Sequence, residues 1–150
     1  MTTATITSPT RSSGRSVIPA AARDLLIAAL RGLADAGMTT RASDRYVAAH
    51  LAALRAAAAV VAARAKPASR RTRLRSVWAL LADVAPELKE WAEFFAAGAR
   101  TRAAAEAGIT AAVTDRAADD LIRDAESFIE LVATTLGIDQ QLGCYAHRFA

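Results

Sequence analysis

Between residues 17 and 137 apolar side chains recur at three- and four-residue steps and never alternate over a useful stretch, which predicts helices and no strands. The strongest segment runs from Thr40 to Lys66. Alanine, the best helix former, fills nearly half of it. Thr39 or Thr40 can cap its start, Asp44 suits the positive end of the helix dipole, Arg64 and Lys66 suit the negative end, and Pro67 stops it. Val47, His50, Leu51, Leu54, Ala58 and Val61 line one stripe, the expected buried face, with Arg45, Arg55 and Arg64 mostly off it. At about 1.5 Å per residue the helix would span roughly 40 Å.

An earlier helix is expected from Pro19 to Gly37, buried through Leu26, Ala29, Leu30 and Leu33. After a connection near residues 64–75, Ser69 can cap a third helix with apolar positions Leu74, Val77, Trp78, Leu81 and Val84, and Pro86 breaks it. The pattern resumes through Leu88, Trp91, Phe94 and Phe95 to about Gly108, where Gly98 implies a bend or a close helix contact. Thr114 caps the last helix, Asp115 to Leu136, with Leu121, Ala125, Phe128, Val132 and Leu136 inward and Gly137 as its stop. The expected architecture is all-α: an antiparallel bundle of four main helices, the third broken near Pro86. Residues 1–16 read as a polar, disordered arm, 17–137 as the bundle and 138–150 as a tail without pattern.

A chain of 150 residues fits one domain with a single core. Hydrophobic content is 53% but aromatic content only 5%, so Leu, Val and Ala must supply most of that core. One cysteine, Cys144, excludes an internal disulfide, and two histidines, His50 and His147, argue against a structural metal site. No cofactor is expected, because no phosphate-cradling glycine loop, nucleophile–base arrangement or paired-carboxylate motif is present. The start lacks the apolar stretch of a signal peptide, and no uncharged apolar run approaches the roughly 20 residues that span a bilayer. A cytoplasmic location follows as the expectation, with no membrane partner.

The net charge of +4 conceals a split: residues 1–75 carry net +10 and residues 76–150 net −6. Three readings are open: an anionic partner for the first half, head-to-tail contact between copies, or mutual neutralisation within the fold. The densest cationic stretch holds Arg64, Lys66, Arg70, Arg71, Arg73 and Arg75, candidates for phosphate contact because Arg binds phosphate bidentately. A solvated helix connection is the competing explanation. Trp78, Trp91, Phe94 and Phe95 fall at helical spacing and read as core or dimer residues, while Asp119, Asp120, Asp124 and Glu126 read as a salt-bridged exposed face with Arg116 and Arg123.

The segments SDRYVAAHLAALRAAAAVVAAR, VWALLADVAPELKEWAEFFAAGARTRAAAEAGI and DRAADDLIRDAESFIELV together resemble an actinobacterial branch of the HEPN superfamily, over roughly residues 20–137. That resemblance implies a helical bundle that dimerises and touches nucleotide or RNA. A ribonuclease subset of the superfamily carries Arg, four to six residues, then His, and RYVAAH from Arg45 to His50 is similar to that formula. In such members the pair faces a groove at the dimer interface, His activating the RNA 2′-hydroxyl and Arg binding the scissile phosphate without metal. The residues themselves point elsewhere. His50 lies on the same face as Tyr46, Leu51 and Leu54, and positions five apart on a helix diverge by about 140°, so Arg45 and His50 do not converge within one helix. An inward histidine favours a hydrogen-bonded core or interface role over catalysis.

Three functions follow as expectations: a HEPN-like binding and dimerisation module contacting RNA or nucleotide through its basic first half; a metal-independent ribonuclease using Arg45 and His50 across a homodimer; or a protein-interaction module without a nucleic-acid role.

Overall fold

A computed structural model describes residues 17–66 and 75–138. The arm with Arg11 and Arg15, the connection residues Pro67, Ser69, Arg70, Arg71, Arg73 and Leu74, and the tail with Cys144 and His147 lie outside the described residues. The described residues are all-helical, with five helices among them: α1 (Ala20–Met38), α2 (Ala42–Arg64), α3 (Val77–Val84), α4 (Lys89–Glu106) and α5 (Asp115–Leu136). Short 3-10 turns at Pro86–Leu88 and Thr110–Ala112 precede α4 and α5. The expected broken third helix is therefore two helices, because Pro86 opens a turn of its own rather than bending one continuous rod.

The helix ends follow local chemistry. Thr114 caps α5 by accepting from the Ala117 N–H, and Gly137 ends it in the left-handed conformation (φ 69°) that glycine adopts without strain. Ser76 caps α3 by accepting from the Ala79 N–H, a position the apolar pattern did not single out. Neither Thr39 nor Thr40 caps α2. Its N-cap is Arg41, the Thr39 hydroxyl donates back to Asp35 O, and Gly37 stays helical because α1 continues to Met38.

Helix α2 is the centre, packed against α1, α5, α4 and α3. Its buried residues include Tyr46, Ala49, His50, Ala52, Ala53, Ala56, Ala57, Ala59 and Val60. The stripe of larger residues expected to face inward, Val47, Leu51, Leu54, Ala58 and Val61, is only half-buried apart from His50. Contact on several sides explains the inversion. Alanines let neighbouring helices approach closely, and the bulkier side chains are left to the rim. By length and composition α2 is apolar enough to cross a bilayer, but half of it is buried inside the fold. The remaining core is aromatic and aliphatic: Leu26 from α1, Trp78 and Leu81 from α3, Leu88, Phe95 from α4, and Leu121, Phe128, Ile129 and Val132 from α5. Each fully buried Phe or Leu contributes about 2 kcal/mol of apolar transfer energy.

Candidate functional site

Tyr46 and His50 lie one turn apart on the α2 face that meets α4, and the approach of the two helices depends on Gly98. A β-carbon at position 98 would stand 3.0 Å from the Tyr46 hydroxyl and 3.4 Å from His50 Cδ2. The close helix contact expected at this glycine is thus where the histidine sits. The ring is wholly buried, edge-on to Trp78 and Phe95, which stack on each other at 5.2 Å.

Both ring nitrogens of His50 are occupied. Nε2 lies 2.8 Å from Phe95 O, and a carbonyl can only accept, so Nε2 carries the proton and donates. Nδ1 is then the acceptor, and Arg102 Nη1 donates to it at 3.2 Å from α4. Burial is the main cause holding His50 below its ordinary pKa, and the Arg102 charge adds to it; the Phe95 hydrogen bond and Glu106 oppose. The ring is a neutral, saturated imidazole. In this position it has no free nitrogen with which to take a proton from a substrate.

Arg45 points away from it. Its side chain, 13% exposed, donates from Nη1 to Thr40 O at 2.8 Å and from Nη2 to Asp115 Oδ1 at 3.2 Å and Asp119 Oδ1 at 3.1 Å. The RYVAAH pair is therefore not brought together: Arg45 ties α2 to the start of α5, and His50 ties α2 to α4. The arginine that touches His50 is Arg102, about a third of the chain away, and no spacing rule signals a contact between residues 52 positions apart. Arg102 also faces Glu106 Oε1 from Nε at 3.6 Å, a charge contact too long for a hydrogen bond, so the buried Nε hydrogen remains unpaired. Arg45 Nε is buried without a hydrogen bond in the same way.

Of the candidate phosphate-binding cations among the described residues, Arg64 and Arg75 are engaged and Lys66 is not. Arg64 pairs with Glu87 and Arg75 with Asp83, so the two ends of the basic connection are fastened to α3 and the turn after it. Hydrogen bonding by Arg64 holds the Glu87 carboxyl below its usual range. Lys66 is exposed, and Arg70, Arg71 and Arg73 lie outside the described residues. With Arg45 to Asp115 and Asp119, these pairs all join the basic first half to the acidic second half. The expected salt-bridged acidic face holds for Asp120, which meets Arg116 and Arg123, whereas Asp119 turns to α2. Asp124 has no ion pair among the described residues, and burial together with Asp120 raises its carboxyl above the ordinary range. Among the described residues no group of three or more His, Cys, Asp or Glu side chains could hold a metal.

The HEPN_SAV_6107-like HEPN family model matches residues 36–133, about two thirds of the chain, from the end of α1 through most of α5. No curated protein sequence and no solved structure matches.

Proposed function

Since this chain belongs to the HEPN family, we propose that it is a cytoplasmic binding and dimerisation module that contacts RNA or nucleotide phosphates through its basic first half. The observation that carries the reading is the division of the cations. Arg45, Arg64 and Arg75 are engaged within the fold, while Arg23, Arg55 and Lys66 are exposed with no ion pair among the described residues. By sequence the first half carries net +10 against −6 in the second, so pairing between the halves cannot cancel its surplus. A phosphate backbone is the partner that such a surplus suits, since each neutralised phosphate releases counterions.

We read the long helices as running in alternate directions, the antiparallel layout of a bundle. The start of α2 meets the start of α5 through Arg45 and Asp115 and meets the later part of α4 through Tyr46 and Gly98, which supports that arrangement. In this reading His50 is part of the scaffold. Metal-independent cleavage by Arg45 and His50 would require the imidazole to leave Phe95 and Arg102 and reach a dimer interface.

The test is binding of a labelled single-stranded RNA over a salt series. Affinity should fall steeply as salt rises, and replacing Lys66, Arg70, Arg71 and Arg73 with Gln should flatten the slope of log affinity against log salt by roughly 0.7 per lost contact. Binding that ignores both salt and these replacements would reject the proposal.

A further inference from the structure

Helices α4 and α5 expose large apolar side chains one turn from carboxylates that make no ion pair among the described residues. Phe94 is 45% exposed and Leu131 39%, and Trp91 is half-buried. Trp91 joins the two helices: its ring lies perpendicular to Phe94 at 6.2 Å and reaches Phe128 on α5 at 5.6 Å. One turn from these rings along each helix stand Glu90, at i−4 from Phe94, and Asp124, at i−4 from Phe128, while Leu131 is at i+3 from Phe128. Neither Glu90 nor Asp124 makes an ion pair among the described residues, whereas the nearest cations, Lys89 and Arg123, are held by Glu93 and Asp120.

We infer that this aromatic, carboxylate-flanked seam between α4 and α5 is a docking surface for a basic amphipathic peptide segment of a protein partner. Its chemistry selects the occupant. Exposed Phe and Trp faces attract guanidinium or ammonium groups as well as aliphatic side chains, and two unpaired carboxylates at one-turn offsets receive the cations. The same carboxylates repel a phosphate backbone, so this face and the basic first half do not compete for one ligand. Asp124 adds to the contrast, because a half-buried carboxylate beside Asp120 gains more from an incoming cation than a solvated one does.

The full chain would be titrated into a fluorescently labelled synthetic helix of about twelve residues carrying Arg and Leu on one face. Anisotropy should show saturable binding that weakens with salt. Phe94→Ala, and separately Glu90→Gln with Asp124→Asn, should each weaken it about tenfold or more, as truncation of a central contact does. Phe94 and Glu90 are exposed and Asp124 is half-buried, and unchanged far-ultraviolet circular dichroism and melting would establish that the variants fold. Failure to saturate, native affinity in either variant, or displacement of the peptide by an RNA oligomer would overturn the assignment. Self-association abolished by Phe94→Ala would also overturn it, assigning the seam to a second copy.

Discussion

His50 and Gly98 act as one unit, because the ring lies against the position where any other residue would place a β-carbon. Gly98→Ala gains about 1 kcal/mol of helix propensity but presses on Tyr46 and His50. The larger Gly98→Val should lower stability by about 1–3 kcal/mol through overpacking, read as a drop in the urea midpoint. Removing the partner of Nδ1 with Arg102→Met should cost about 1–3 kcal/mol, since a buried acceptor is left unmade. The pH response has a definite sign. His50 titrates below its ordinary 6.5 in the fold, so in the window between the two values the unfolded chain binds the extra proton. Stability is fully present above that window and is lost as pH falls through it. The charged groups facing the ring are Arg102 and Glu106 on α4, with Tyr46 above it on α2. Urea midpoints at about pH 7.5 and about pH 5.5 should therefore differ more in the native protein than in His50→Gln. Equal differences would remove the histidine from the account.

At the scale of the element, the amphipathic period located α5 almost to the residue, because one side of that helix faces the core and its caps, Thr114 and Gly137, are side-chain chemistry readable in sequence. Thr114→Ala should cost about 1 kcal/mol, measured by thermal melting. The reading of α2 located the helix but turned it the wrong way. A search for large apolar residues at helical spacing finds Val47, Leu51, Leu54 and Val61, yet the helix in the middle of a bundle buries its alanines. Accordingly Ala53→Leu or Ala57→Leu, at wholly buried positions, should lower stability by about 1–3 kcal/mol, while Leu51→Met should be nearly neutral. The inward position of His50 was legible from its neighbours. Its partners were not, since Phe95 and Arg102 belong to another helix and no local pattern pairs positions 45 and 52 residues apart.

For the molecule as a whole, the charge split has two consequences in one fold. Part of it is cancelled across the halves, through Arg45, Arg64 and Arg75 to carboxylates of α5, α3 and the turn between α3 and α4. These exposed or half-exposed pairs each contribute up to about 1 kcal/mol, and Arg45, the least exposed of the three arginines, should matter most: Arg45→Gln should cost about 1 kcal/mol and detach the start of α5. The rest leaves Arg23, Arg55 and Lys66 exposed on and just beyond α1 and α2, and carboxylates one turn from Phe94 and Phe128 on α4 and α5. Composition alone revealed the split but not which charges were already answered within the fold. The central claim, that this HEPN domain binds through its basic half and keeps His50 as scaffold, is tested most directly by incubating RNA with the protein and with folded His50→Gln in the absence of metal. The account predicts that both bind the RNA alike and leave it intact. Cleavage by the native protein that the variant loses would contradict it.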